Sequence, residues 1–203
     1  MLSFTSRLVE KAVEQFATLP GIGRKTALRF VLHVLRQDKA SVETFLAAIR
    51  QLKELIHECK RCHNIADGET CDICADPRRD ATTICVVENI QDVISIESTG
   101  QFKGVYHVLG GIISPMDGVG PGDLHVDTLL QRVTAQPARE VIFALGATIE
   151  GDTTAYYIYK KLPRRDDLVV TTLAKGIAVG NDLEYIDELT LGRSIVNRIR
   201  FSL

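Results

Sequence analysis

No run of apolar residues in this 203-residue chain is long enough to cross a bilayer as a helix. The first residues lack the apolar centre of a secretory signal, so nothing there marks the chain for export and a cytoplasmic location is expected. There is no internal repeat and no low-complexity tract. Little charge is left over: the formal net charge is −2, with 45% hydrophobic and 25% charged residues, as in an ordinary globular protein. One stretch is poor in apolar side chains. Between residues 59 and 74 there is hardly any beyond Ile65 and Ile73, too little to build a core.

What that stretch has instead is cysteine. Four of the chain's five cysteines form two CxxC pairs, Cys59-Lys60-Arg61-Cys62 and Cys71-Asp72-Ile73-Cys74, eight residues apart. This spacing suits four thiolates converging on one Zn²⁺. Four sulfurs close the coordination shell, so the predicted metal is structural, and its apparent binding energy of roughly 10–16 kcal/mol would hold the segment. Two disulfides or free thiols are the competing reading, disfavoured by the paired spacing in a chain without an export signal. His57 and His63 flank the pairs and are read as bystanders. Cys85 falls in an apolar run and is read as a buried small hydrophobe.

The small net charge conceals a split. Residues 1–64 carry 11 Lys and Arg against 6 Asp and Glu, a balance of +5, whereas residues 65–203 carry 13 against 20, a balance of −7. A basic segment of this kind suits a polyanion, and two solvated surfaces of unlike sign remain the alternative.

Residues 3–17 read as an amphipathic helix capped by Ser3, Thr5 or Ser6, and Leu19-Pro20-Gly21-Ile22-Gly23 breaks it. A second helix starts near Lys25, and a third runs from about Ser41 to His57. A glycine-rich turn opening a helix presents unpaired N–H groups at the positive end of the helix dipole, a ready phosphate site. Gly21 and Gly23 allow that turn; Arg24, Lys25 and Arg29 supply positive charge around the same phosphate. Nothing in it reads bases, so binding would be independent of sequence. The glycine spacing is wrong for a nucleotide P-loop, and no strand precedes it.

From Ala81 the pattern changes. Apolar runs at 83–87, 105–109, 140–145 and 168–173 alternate with helical patterns through Val93 to Ile96, at 125–134 and at 153–162, a βαβ succession with a mostly parallel sheet. The glycine-rich segment 110–124, with two prolines, is read as a mobile loop. Glu88 ends the first strand, and Glu150-Gly151-Asp152 follows the third. In an open parallel sheet that edge is the usual functional one. The three carboxylates could hold Mg²⁺, form a recognition patch, or simply cap helices. Three tyrosines, Tyr156, Tyr157 and Tyr159, are expected to pack. The tail from Lys175 ends in an amphipathic helix near Leu189–Ile199 and is read as an extension packing on this or a neighbouring subunit.

The stretch Leu19–Arg29 resembles a helix-hairpin-helix motif. Together with Cys59–Cys74, Val86-Val87-Glu88, Glu150-Gly151-Asp152, Gly180-Asn181-Asp182-Leu183-Glu184-Tyr185 and Thr190-Leu191-Gly192-Arg193, it makes the whole chain resemble the bacterial RecR family. The resemblance implies an α+β multidomain fold: a helix-hairpin-helix DNA-binding region at 1–57, a four-cysteine zinc finger at 58–80, an α/β Toprim domain at 81–176 and a C-terminal extension at 177–203. It implies a homotetrameric ring acting as a DNA clamp in recombinational repair, not an enzyme. The clamp would work with RecO, and in some organisms RecF, to help load RecA onto single-stranded DNA. Lys25 and Arg29 would touch DNA on the inner wall, and Glu88, Glu150 and Asp152 would receive the partner. Catalytic Toprim enzymes carry Asp-x-Asp where this chain has Glu150-Gly151-Asp152, which weakens the alternative of a metal-dependent nuclease or primase-like enzyme. A zinc-stabilised interaction protein that never touches DNA is a third reading.

Overall fold

The computed structural model describes residues 5–135, 138–180 and 182–200. The proposed cap Ser3 and the signature residue Asn181 lie outside them. The chain divides into two compact units, residues Met1–Ile56 and His57–Leu203.

The first unit is helical. Helix α1 (Arg7–Phe16) is capped by Ser6, whose hydroxyl accepts from the Val9 amide, and it stops four residues before Pro20. A turn follows in which the Ile22 amide bonds the Leu19 carbonyl and Gly21 takes φ +77°, a left-handed conformation that favours glycine. Helix α2 (Arg24–Arg36) packs on α1 through Val13, Ala27 and Val31, flanked by Val9, Phe16, Ile22 and Leu28. Helix α3 (Lys39–Leu55) starts at Asp38, which accepts from the Ser41 amide at 2.9 Å. No residue of α3 is buried; Phe45, Leu46, Ile49, Leu52 and Leu55 are all exposed. The predicted helix stripe is there, but nothing described covers it.

The second unit begins with a two-stranded antiparallel ribbon, β1 (His57–Glu58) and β2 (Ile65–Ala66), followed by a single helical turn, α4 (Asp72–Ala75). Then come β3 (Asp80–Val87), α5 (Ile90–Ser98), β4 (Gly104–Val108), α6 (Val126–Ala135), β5 (Glu140–Ala144), α7 (Ile149–Lys161), β6 (Val169–Thr172) and α8 (Glu188–Val196). The four longer strands form one parallel sheet in the order β4-β3-β5-β6. Successive residues of β3 enter opposite layers, as the twofold strand period requires. Ile84 and Val86 join Leu129, Val133, Val141, Phe143 and Ile158 on one face; Cys85 and Val87 join Val93, Tyr106 and Val108 on the other. Burial on both faces explains why the run 84–87 is continuously apolar. Each fully buried Ile, Leu or Val contributes about 1.5–3 kcal/mol. Gly104 is required by packing, because a Cβ there would lie 2.5 Å from the Thr83 carbonyl oxygen and the Phe102 ring.

Three expectations need correction. The segment 110–124 is not a free loop. Pro115 and Pro121 each open a 3-10 turn, Ser114 and Val119 exchange backbone bonds, and Ile113 donates to Thr154 Oγ1 at 2.9 Å. Helix α7 starts four residues earlier than the pattern indicated, because Thr148 caps it. Of the tyrosines, Tyr157 packs on the core, but Tyr156 and Tyr159 are 62% and 54% exposed, and Lys160 lies 5.1 Å over the Tyr156 ring.

Candidate metal centre, nucleic-acid interface and acidic edge

The ribbon places all four predicted sulfurs in one nest. After β1 the chain turns so tightly that His63 adopts φ +62°, its amide bonding the Cys59 carbonyl at 2.9 Å. The Cys59 amide bonds the Asn64 carbonyl, and the Lys60 amide bonds the Glu69 carbonyl. Cys71 precedes α4 and Cys74 lies within it. All four are buried, unpaired in disulfides, and within 4.8 Å of one another. Cys62 Sγ and Cys71 Sγ are 3.6 Å apart. A disulfide needs about 2.05 Å, whereas tetrahedral Zn–S bonds of about 2.3 Å separate neighbouring sulfurs by about 3.8 Å. The bond between these two thiols raises the pKa of Cys62 and lowers that of Cys71. The Cys71 amide also donates to Cys59 Sγ at 3.3 Å, the kind of bond that steadies a thiolate ligand. The donor set fits one structural Zn²⁺. Cys85 stands apart in the sheet, its thiol pushed up to about 12 by burial, an inert core residue.

His63 is no zinc ligand here, yet it is no bystander. Its Nδ1 bonds Glu58 Oε1 at 2.5 Å and its Nε2 is hydrogen-bonded to Thr128 Oγ1 at 2.8 Å. Its ring stacks on His125 at 3.7 Å and meets His107 edge-on at 5.2 Å. The Val108 amide donates to the Cys62 carbonyl at 2.8 Å. The knuckle is thus fastened to β4 and α6. No sequence pattern linked His63 to His107, His125 or Thr128.

In the first unit, Gly23 caps α2 without a side-chain bond, so the first-turn amides are left open. Gly21, Gly23, Arg24, Lys25 and Arg29 are all exposed, and nothing lies within 4 Å of where a Cβ on either glycine would sit. The positive end of the dipole, two bare glycines and three exposed cations fall within residues 21–29. Arg24 reaches Glu14 at 3.9 Å in a solvent-exposed pair.

The acidic residues collect at the carboxyl edge of the sheet, since β3 and β5 are adjacent and parallel. Glu88 directly follows β3, half-buried, and its pKa is raised by burial and then by Asp92. Glu150 and Asp152 sit not in a loop but in the first turn of α7, exposed, where the helix dipole favours negative charge. Asp152 is paired with Lys175, which lies just beyond β6. Gly151 between them is buried, and a Cβ there would come within 2.0 Å of the Gly146 carbonyl oxygen. The predicted trio does not converge as a ready metal cage. Among the described residues, the groups of three or more Cys, His, Asp or Glu donors within 4.8 Å are the four cysteines and Glu58–His63–His125.

Comparison with known proteins covers nearly the whole chain. Family models match in succession: RecR, helix-hairpin-helix at residues 9–53; the RecR four-cysteine zinc finger domain at 56–76; Toprim domain at 82–174; and RecR, C-terminal at 176–199. Recombination protein RecR of Bacteroides thetaiotaomicron is 59% identical over 199 residues, spanning 98% of this chain and 97% of that one. The same-named proteins of Porphyromonas gingivalis and Flavobacterium johnsoniae are 57% and 51% identical, over 98% of this chain and 96% and 97% of theirs. Identity of this extent, with the zinc nest and parallel sheet in their expected order, makes the chain a member of the RecR family of recombination proteins.

Proposed function

We propose that the chain is a non-enzymatic mediator of recombinational DNA repair, a clamp that grips DNA of any sequence and helps RecO, and in some organisms RecF, load RecA onto single-stranded DNA. The observation that carries this reading is the open start of α2, where uncapped amides lie within a turn and a half of the exposed Arg24, Lys25 and Arg29. The exposed apolar faces of α3 and α8 support closure of several copies into a ring, taken as a tetramer. Residues 1–57 would form the DNA-binding region, 58–80 the zinc finger, 81–176 the Toprim domain and 177–203 the extension. Glu88, Glu150 and Asp152 would receive a basic partner surface, whose charge complementarity speeds encounter and fixes register. The pairing of Asp152 with Lys175 speaks against a two-metal nuclease, which needs such carboxylates free for its ions. No described helix is long and apolar enough to cross a membrane, and the proposed place of work is the cytoplasm.

The test is DNA binding across a salt series. Lys25→Ala and Arg29→Ala should each weaken binding to all sequences alike and flatten the salt slope by about one. Unchanged affinity and slope in the double variant would remove the hairpin as the DNA site. Glu150→Ala and Asp152→Ala should lose RecO in a pull-down while keeping DNA affinity. Mg²⁺-dependent DNA cleavage abolished by Glu88→Gln would replace the clamp with the enzyme.

A further inference from the structure

Arg132 lies on α6 and is only 7% exposed. Its Nη1 donates to the Tyr106 carbonyl at 2.7 Å and more loosely to the Arg61 carbonyl at 3.4 Å. Among the described residues, its Nε and Nη2 are buried with no hydrogen-bond partner. Among the described residues, no carboxylate comes within 4.0 Å of it. A buried guanidinium in this condition is costly unless an anion answers it.

The position of Arg132 indicates which anion. Arg61, which it touches, lies inside the first cysteine pair, and the Arg61 guanidinium donates to the Cys74 carbonyl at 3.0 Å. Tyr106 is two residues from Val108, whose amide holds the Cys62 carbonyl. Arg132 thus sits where β4 meets the cysteine nest. Burial penalises the charge of this guanidinium, which lies against the backbone of the first cysteine pair. Four protonated thiols give the cation little to balance. Four thiolates on one Zn²⁺ leave a net charge of −2 in a buried nest.

We propose that Arg132 is the resident counter-cation of the zinc–thiolate centre, a positioning residue that ties zinc occupancy to the stability of the neighbouring sheet. Zinc makes the buried guanidinium tolerable, and the guanidinium in turn holds charge on the sulfurs that bind zinc. Loss of zinc strands the cation beneath β4. The inference rests on the four-cysteine zinc assignment and is independent of the DNA and RecO readings.

The experiment compares full-length wild type, Arg132→Met and Arg132→Lys, each zinc-loaded and zinc-stripped. Zinc affinity is read by competition with a chromogenic chelator, and stability by thermal unfolding. Arg132→Met, which keeps bulk without charge, should bind zinc about 10–100-fold more weakly, the usual scale for residues that support ligands. Its melting temperature should fall below wild type when loaded and equal or exceed it when stripped, because the stripped protein no longer buries an unanswered charge. Arg132→Lys should hold zinc more tightly than Arg132→Met. A purely structural role for the two carbonyl bonds would lower stability equally in both states. That result, or unchanged zinc affinity in Arg132→Met, would overturn the proposal. If Arg132→Met fails to fold, Arg132→Lys decides: affinity close to wild type supports the charge role, and a loss of tenfold or more refutes it.

Discussion

The two units meet the demand for a core in opposite ways. In residues 57–203 a parallel sheet is covered on both faces, and a nest of four cysteines stands in where apolar residues run out. In residues 1–56 the buried side chains among those described are Val13, Ala27 and Val31, while a whole face of α3 lies open. Both halves carry clear hydrophobic periodicity. Periodicity says that a face will be covered; it does not say whether the cover comes from the same chain. Monomeric proteins rarely leave apolar patches of this kind; the second unit covers its sheet on both faces and leaves apolar side chains open chiefly at α8, whereas the first unit leaves a whole face of its longest helix open.

The contrast can be broken most forcefully at the metal. Cys59→Ser or Cys74→Ser should abolish stoichiometric zinc and open the ribbon, removing support of roughly 10–16 kcal/mol in apparent binding energy. Elemental analysis and thermal unfolding check this, and full zinc content in either variant would refute the assignment. Next in size is Gly151→Ala. Its Cβ would meet the Gly146 carbonyl oxygen at 2.0 Å, backbone against backbone, and the forced shift should cost about 1–3 kcal/mol in urea denaturation. Stability equal to wild type would show that the start of α7 yields easily.

A pH dependence comes third. His107 is fully buried, and burial holds its pKa down at about 3 against an ordinary 6.5. The unfolded chain takes up this proton more readily, so the stabilisation is complete above pH 6.5 and is lost as pH falls from 6.5 toward 3. The slope is about 1.4 kcal/mol per pH unit. Urea unfolding at pH 7.5 and 5.5 should show a smaller drop in His107→Gln than in wild type; equal drops would assign the effect elsewhere. The smallest effect on folding should come from Ile49→Glu with Leu52→Glu. On an open face the change in unfolding free energy should stay within about 0.5 kcal/mol. Yet native mass measurement should show a smaller assembly. An unchanged mass would mean that α3 is not a subunit contact.

Much of this was legible in the chain. The cysteine spacing foretold the nest, and the apolar runs foretold the four strands and their parallel order of connection. The Gly21–Gly23 turn foretold the open helix start. Part of what escaped was local backbone clearance, and part depended on distant partners. The run Glu150-Gly151-Asp152 looked like loop because glycine disfavours helix interiors, but Gly151 is there for clearance against Gly146. Thr148, a good N-cap residue, was the available signal for the earlier start. Segment 110–124 looked mobile by composition; its order comes from its own Ser114–Val119 bridge and from Thr154, which lies 41 residues from Ile113. Arg132 reads as one more surface cation on an amphipathic helix until the cysteine ribbon is laid beside it.

On the proposed DNA-binding reading, the uncapped start of α2 has a consequence for how the contact can change over time. Three of the groups it would offer a phosphate are side chains, and each can be lost to a single codon change. The rest are main-chain N–H groups that every residue but proline supplies. Inheritance would therefore erode the proposed grip but hardly abolish it. The surface is free to drift in composition around a contact that is rewritten only when the turn itself is rebuilt.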